Sequence, residues 1–154
     1  RMFPGNEVRL MHAYFVKCNS FVKDENGKVT EIHCTYDPES RGGNSPDGRK
    51  VKGTIHWVAA PTAVKAEVRL YENIVDEELG VYNEDGSLNL NPNSLTVLKE
   101  CYVEPSLADA KGYDSFQFVR QGYFCVDAKD SKEDALVFNR IVSLKSSYKL
   151  PTQQ

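Results

Sequence analysis

Most of the chain alternates apolar and polar residues with a period of two, and the alternating segments are rich in β-branched and aromatic residues. This pattern is typical of half-buried β-strands, because successive side chains of a strand point to opposite faces. Residues 105–110 offer the one predicted helix start, because Ser106 is a good capping residue and Asp109 follows three residues later. The predicted strands and the tight hairpin at 114–127 cover residues 7–22, 28–36, 50–60, 66–75, 95–103, 114–127 and 135–144.

Turn-forming residues separate the predicted strands. Asn26-Gly27 favours a hairpin between the first two strands, because both residues tolerate positive φ. Residues 37–48 contain two prolines and three glycines and are therefore expected to form a connection. Residues 76–94 are acidic and turn-rich. Many short strands with almost no amphipathic helix predict an all-β fold, built from antiparallel β-barrels or a β-sandwich.

The alternation also assigns faces to particular side chains. It places Phe116 and Phe118 on one face of a strand and Gln117 on the other. Strict alternation would put Arg120 with the two phenylalanines, unless the turn at Gln121-Gly122 twists it outward. An amide and a guanidinium beside a turn can each form several hydrogen bonds to a base edge. Spacing alone favours ordinary surface residues, and the interpretation as base-reading residues stays open as the alternative.

The overall charge limits the kind of partner. The formal net charge is −3 at pH 7, which argues against a general polyanion binder and leaves room for a specific one with a local basic patch. Arg49, Lys50 and Lys52 form the densest basic cluster, where a predicted strand begins. The only tryptophan, Trp57, follows His56 on that strand, and we expect Trp57 to belong to the core and His56 to face away.

The sequence gives little sign of a metal site, a disulfide or a membrane span. Its four cysteines lack a C-x-x-C pair and have apolar or aromatic neighbours, so reduced, buried thiols are expected. The three histidines are scattered, which argues against zinc. No run approaches the roughly 18 apolar residues of a membrane span. The chain starts at Arg1 without a signal-like segment, and we expect it to be a piece of a longer protein.

Common catalytic motifs are also missing from the sequence. The segment "GRKVKG" is not a phosphate-binding Walker loop, because it lacks the G-x-x-x-x-G-K-[ST] spacing and leads into a strand. There is no G-x-S-x-G nucleophile elbow and no H-E-x-x-H zinc motif. The residues therefore favour a binding module over an enzyme.

Several consecutive blocks resemble one known family. "EVRLMHAYFVKC", "DGRKVKGTIHWV", "FQFVRQGYFCVD" and "VFNRIVSL" are similar, in this order, to the C-terminal part of bacterial-type glutaminyl-tRNA synthetases. The resemblance covers nearly the whole chain. It implies two β-barrels that share strands and grip the anticodon loop of tRNA, one of them formed partly by residues that precede this segment. Residues 1–60 would form mainly the distal barrel, 61–150 mainly the proximal barrel, and 151–154 a tail.

The resemblance also implies which residues contact the tRNA. It assigns contacts with the anticodon bases to Arg1, Arg9, Gln117 and Arg120. The residues of the basic cluster, Arg49, Lys50 and Lys52, are candidates for contacts with the tRNA backbone. The sequence departs from the family at Met11 and His12, where Arg-Asn is common. Methionine cannot bond a phosphate or a base edge as arginine does, so one anticodon contact is in doubt.

The implied parent is a cytoplasmic, monomeric, ATP- and magnesium-dependent ligase that joins glutamine to its tRNA. The HIGH-like and KMSKS-like signatures of its N-terminal catalytic domain do not occur in this sequence. The segment is therefore expected to bind glutamine tRNA without a cofactor and without aminoacylating it. The alternative is a β-barrel module for protein interaction or structure, in which the basic residues only increase solubility.

Overall fold

The computed structural model describes residues 2–76 and 79–144. Its regular elements are β-strands and two short 3-10 turns, so the all-β prediction is confirmed. In the described part of the chain we find no helix with the length and apolar character of a membrane span. The strands are β1 Glu7–Leu10, β2 Phe15–Lys23, β3 Val29–Asp37, β4 Thr54–Ile55, β5 Val64–Tyr71, β6 Leu95–Val103, β7 Ser115–Phe118, β8 Gly122–Val126 and β9 Leu136–Ser143.

The chain divides into two units after Trp57. Unit 1 contains a sheet with the strand order β3-β2-β1-β4, and unit 2 contains a sheet with the order β6-β5-β9-β8-β7. Neighbouring strands are antiparallel except for the parallel pairs β1–β4 and β5–β9. Among the described residues both sheets are open and share no strand. The assignment of 1–60 and 61–150 to distal and proximal barrels stays a prediction, and the tail at 151–154 lies outside the described residues.

The segment predicted as one long strand over residues 7–22 is two strands. Leu10 and Ala13 close a tight turn through the bonds from Leu10 N to Tyr14 O (2.9 Å) and from Ala13 N to Leu10 O (3.0 Å). His12 lies in this turn with φ of 58°. The prediction was wrong because the turn contains no glycine, proline, asparagine or aspartate to interrupt the alternation.

The next hairpin follows the predicted turn. Gly27 has φ of 78°, and the Asp24 carboxylate accepts hydrogen bonds from the backbone N–H groups of Asn26 (3.0 Å) and Lys28 (2.8 Å). Asparagine-glycine turns match the twist of antiparallel strands, so the pairing of β2 with β3 is a local consequence of the sequence.

Two predicted core or helical features are not observed. Strand β4 ends at Ile55, so alternation does not continue to His56 and Trp57, and both side chains are exposed. Trp57 donates its indole N–H to the Met11 carbonyl at 3.0 Å, which keeps it at the surface.

The predicted helix start is a single 3-10 turn, Pro105–Leu107, preceded by Glu104 without a side-chain cap. The expected cap at Ser106 is therefore wrong, since Ser106 lies inside the turn.

The cysteines agree only partly with the expectation. All four are free thiols. Cys18 is buried, Cys34 is exposed, and Cys101 and Cys125 are half-buried. The expectation of burial fails for Cys34 because β3 is the edge strand of its sheet and is exposed along nearly its whole length.

Unit 2 has an aromatic and aliphatic core between its strands. Phe138 is completely buried, and Phe116 and Phe118 contact it edge-on at ring-centroid distances of 6.3 and 5.2 Å. Phe118 also stacks on Phe124 at 4.4 Å. The inward position of Phe116 and Phe118 confirms the face assignment made from alternation.

Unit 1 contains a network of ion pairs around Arg49. We call Arg49 and its partners Glu7, Asp37 and Asp47 the Arg49 cluster. The Arg49 guanidinium donates to both oxygens of Glu7 at 3.0 Å and also pairs with Asp37 and Asp47. These partners lie on β1, at the end of β3 and in the loop that follows. Bidentate pairs between arginine and carboxylates are geometrically specific, so the cluster sets the position of the loop relative to two strands.

The Arg49 cluster shifts the pKa values of its members. Hydrogen bonds from Arg49 lower the pKa of Asp37. Hydrogen bonds from the Ser45 hydroxyl, the Arg49 backbone N–H and the Arg49 side chain lower the pKa of Asp47 to about 2. The same ionic hydrogen bonds, led by those to Glu7, raise the pKa of Arg49. Asp37, Asp47 and Arg49 are therefore ionised near neutral pH.

Removal of the central aromatic side chain of unit 2 tests its core. We expect Phe138→Ala to lower the free energy of unfolding by about 3–5 kcal/mol, because a buried ring is lost and a cavity remains. Phe3→Ala is the matched control, since Phe3 is 59% exposed, and its effect should stay within about 0.5 kcal/mol. Denaturant unfolding of both variants measures the difference. Equal losses would contradict the assigned core.

Acid should weaken the Arg49 cluster. Because folding lowers the pKa of Asp37 and Asp47, their contribution is present above the unfolded pKa of about 3.9 and is lost as pH falls through the folded values. The melting temperature of the wild-type chain should therefore fall between pH 4 and pH 2. Asp47→Asn should flatten this dependence in thermal unfolding followed by circular dichroism. An unchanged slope in the variant would refute the assignment to Asp47.

Candidate nucleic-acid interface

The first predicted site residue, Arg9, lies on β1 in unit 1. Its backbone N–H donates to the Gly53 carbonyl at 2.8 Å, which joins β1 to the segment leading into β4. The Arg9 guanidinium lies 5.2 Å from the ring centroid of Phe15, a cation–π distance. Arg9 Nε is shielded from solvent and has no hydrogen-bond partner among the described residues.

Arg49 contacts the same aromatic ring from its own position in the loop. Its guanidinium is also 5.2 Å from the Phe15 centroid, and Phe15 is only 1% exposed. These residues line a cleft of about 460 Å³ together with part of the loop and two lysines. Its lining residues are Arg9, Phe15, Asn44, Ser45, Gly48, Arg49, Lys50, Val51 and Lys52.

The three cations of the predicted basic cluster have different surroundings. Arg49 is half-buried and is surrounded by the carboxylates of Glu7, Asp37 and Asp47. Lys50 and Lys52 are exposed. The positive charge available to an anionic ligand at this cleft therefore comes mainly from Arg9 and the two lysines.

The second predicted pair lies on the β7–β8 hairpin of unit 2. Gln117 is exposed and is the register partner of Tyr123, which is 43% exposed. Directly opposed residues of an antiparallel pair share a face, so Gln117 and Tyr123 are neighbours on the exposed face of the hairpin. Phe116 and Phe118 hold this strand onto the core from the other face.

Arg120 lies at the tip of the same hairpin. The turn comprises residues 119–121, with Phe118 paired to Gly122, so it begins earlier than the predicted Gln121-Gly122 turn. Arg120 has φ of 67° and is exposed, and Gln121 N donates to Phe118 O at 2.8 Å. The left-handed backbone takes Arg120 out of strand alternation, so it does not share the buried face of the phenylalanines.

Gly122, the first residue of β8, lies very close to the backbone of β9. A Cβ at this position would lie 2.6 Å from the Val142 carbonyl oxygen, and φ is 155°. Only glycine lets β8 approach β9 so closely here. The hairpin that presents Gln117 and Arg120 is thus fixed to its neighbour by a backbone contact.

The remaining predicted residues have separate positions. Arg1 lies outside the described residues. Met11 and His12, where the sequence departs from the family, form the turn between β1 and β2, and His12 is exposed. The Met11 carbonyl accepts the Trp57 indole N–H. The structure thus brings Arg9, Arg49, Lys50 and Lys52 together in unit 1, and Gln117 and Arg120 in unit 2.

Sequence reasoning missed two aromatic neighbours of these residues. Phe15 was hidden in the segment predicted as one strand, and only the turn at His12 places it beside Arg9. Tyr123 would have been found opposite Gln117 if the hairpin had been given a three-residue turn, because that turn sets the register. Both are aromatic side chains beside a predicted polar contact.

Unit 2 also contains a mixed-charge cleft of about 370 Å³ between β5 and the segment before β9. Lys65, Lys99 and Lys132 line it together with Glu67 and Asp134. Arg69, also in the lining, pairs there with Glu67 and Asp130. None of the predicted site residues lies in this cleft. In the part of the chain that the structure describes, no three His, Cys, Asp or Glu side chains form a group that could hold a metal ion.

Comparison with known families matches two parts of the chain. Residues 1–37 and residues 54–127 each match a model described as tRNA synthetases class I (E and Q), anti-codon binding domain. The two matches fall on β1 to β3 and on β4 to β8. They include the positions of Arg9, Gln117 and Arg120.

Curated relatives match nearly the whole chain. A glutamine–tRNA ligase of Clostridium kluyveri is 56% identical over 153 residues, which cover 98% of this chain and 27% of that protein. A glutamine–tRNA ligase of Clostridium perfringens is 58% identical over 97% of this chain and 27% of that protein. One of Haemophilus influenzae is 50% identical over 96% of this chain and 26% of that protein. The chain thus spans about a quarter of the length of these relatives, and it belongs to the family of anticodon-binding domains of class I tRNA synthetases.

Proposed function

We propose that this chain binds the anticodon loop of glutamine tRNA. The observation that carries the proposal is the similarity of 97–98% of the chain to proteins named glutamine–tRNA ligase in two Clostridium species. The positions of the predicted contact residues support it, since Gln117 and Arg120 are exposed on one ordered hairpin.

The hairpin offers the chemistry needed to read an unpaired base. The amide of Gln117 and the guanidinium of Arg120 can each form paired hydrogen bonds to a base edge. Tyr123, beside Gln117, presents an aromatic surface of the kind on which unstacked bases pack. Anticodon bases lie in a single-stranded loop, where their pairing edges are accessible.

The cleft in unit 1 supplies the electrostatic part of binding. Arg9 is proposed to contact an anticodon base, and Lys50 and Lys52 the phosphates beside it. Because Arg49 already balances carboxylates, it contributes less to the attraction of phosphates than its place in the sequence suggested. A local group of cations in an acidic chain gives specific binding without general affinity for polyanions.

The longer protein is proposed to be a glutamine–tRNA ligase that is cytoplasmic and monomeric and uses ATP and magnesium in a catalytic domain. This chain carries neither of the two catalytic signatures of that domain. It would therefore supply recognition, and the chemistry of aminoacylation would take place elsewhere in the protein.

Substitutions on the hairpin test base recognition. Gln117→Ala and Arg120→Ala should each weaken binding of glutamine tRNA by about 1–3 kcal/mol, because base-edge hydrogen bonds are lost. Gln121→Ala is the matched control, since Gln121 is an exposed glutamine in the same hairpin. Filter binding with glutamine tRNA, and with the same tRNA carrying an altered anticodon, measures affinity and discrimination. Equal affinity of the wild-type chain for both tRNAs would refute the proposal and favour a protein-interaction module.

The lysines of the cleft test the electrostatic part separately. Lys50→Ala and Lys52→Ala should each reduce the slope of log affinity against log salt by about 0.7–1, because each removes one phosphate contact. Lys129→Ala, an exposed lysine of unit 2, should leave the slope unchanged. Binding titrations at several salt concentrations provide the slopes. Identical slopes for all three variants would exclude the two lysines from the interface.

A further inference from the structure

Two arginine side chains lie beside the same aromatic ring, that of Phe15. The guanidinium groups of Arg9 and Arg49 both lie 5.2 Å from the same ring centroid. Like charges at one small site repel each other unless opposite charges balance them. Glu7, Asp37 and Asp47 provide that balance around Arg49. The Arg49 cluster thus makes it possible for Arg9 to keep its place beside Phe15.

The loop between β3 and β4 forms the other side of the Arg9 site. The buried Ser40 hydroxyl accepts the Phe15 N–H at 2.8 Å and donates to the Asp37 carbonyl at 2.6 Å. The backbone N–H of Gly43 donates to the Ser40 carbonyl at 2.9 Å. These bonds hold the first part of the loop against β2.

Gly43 lies directly against the Arg9 side chain. It is buried, and a Cβ built on it would be 3.1 Å from Arg9 Cδ and 3.5 Å from Arg9 Cγ and Nε. The far end of the same loop is fixed by Arg49, whose Nη1 donates to the Ser45 hydroxyl at 2.7 Å and to Asp47 at 2.6 Å. The Arg9 side chain therefore lies between the Phe15 ring and the loop that contains Gly43.

From this geometry we infer that the Arg49 cluster and Gly43 are positioning elements for Arg9. Arg49 holds the loop, the loop and Phe15 enclose the stem and Nε of Arg9, and the Nη groups are left to contact the ligand. This inference rests on the proposed function for its ligand, an anticodon loop. An arginine ordered before binding loses less side-chain freedom on contact, which favours affinity and a single register.

The isosteric variant Asp47→Asn separates positioning from direct contact. If Arg49 touched phosphate, removal of a neighbouring carboxylate would strengthen tRNA binding or leave it unchanged. If Arg49 positions Arg9, the loosened loop should weaken binding by roughly threefold to tenfold, less than Arg9→Ala does. In the Arg9→Ala background, Asp47→Asn should then have no further effect, as in a double-mutant cycle. Additive losses would overturn the inference.

A pair of adjacent glycines gives a matched geometric test. Gly42 and Gly43 have φ of 85° and 89°, so alanine strains the backbone similarly at both positions. Only at Gly43 does the new Cβ crowd Arg9, because nothing lies within 4 Å of a Cβ at Gly42. We expect similar losses of melting temperature, with weaker tRNA binding for Gly43→Ala alone. Equal binding by the two variants would overturn the role of Gly43.

A measurement without tRNA keeps this inference separate from the proposed function. The Nε–H of Arg9 is shielded from solvent and should give a slowly exchanging proton signal in NMR spectra of the wild-type chain. Asp47→Asn should speed its exchange at least severalfold relative to Gly42→Ala. Unchanged exchange would overturn the inference whatever the tRNA result. Failure of the wild-type chain to distinguish anticodons, with faster exchange in Asp47→Asn, would overturn only the proposed function.

Discussion

The Arg49 cluster is the interaction on which the order of unit 1 depends. One guanidinium joins a carboxylate on β1, one at the end of β3 and one in the loop, and the first two are 42 and 12 residues away in sequence. Among the described residues, the buried apolar side chains of unit 1 are few: Val8, Phe15, Val16 and Cys18. A small core gives weak control over a glycine-rich loop. A network with bidentate geometry supplies the missing constraint, whereas an isolated surface pair would add little.

Unit 2 combines a larger core with a second ionic network. Arg69 on β5 pairs with Glu67 and with Asp130, and Asp127 accepts a hydrogen bond from Asn139 on β9 at 2.7 Å. This network lies beside the parallel pair β5–β9, which no short turn can connect. In both units, therefore, arginine–carboxylate contacts join segments that are far apart in sequence. The β7–β8 hairpin needs no such help, because its phenylalanines are inserted in the core.

The sequence predicted what local physics determines. Strand β6 has the predicted bounds 95–103, and the inward face of Phe116 and Phe118 follows from alternation alone. The turn at His12 and the surface position of Trp57 could not be predicted, because each depends on contacts made across the fold, such as the bond from Trp57 to the Met11 carbonyl. Sequence analysis also placed Arg49 in one basic cluster with Lys50 and Lys52, because its ion pairs depend on the fold. In the structure Arg49 is neutralised by carboxylates, whereas the two lysines are exposed.

That difference explains how an acidic chain can contain a surface for an anionic partner. Arg49, Arg69 and Arg140 are each paired with carboxylates and serve mainly to join segments. The number of cations in the sequence is therefore a poor guide to affinity, since a paired cation adds little to the field outside the protein. Affinity depends on cations that form no ion pair with a carboxylate and lie beside an aromatic side chain. Within the described ranges Arg9 forms no such ion pair and lies 5.2 Å from the Phe15 ring centroid, so the network that neutralises Arg49 also holds Arg9 in place for binding.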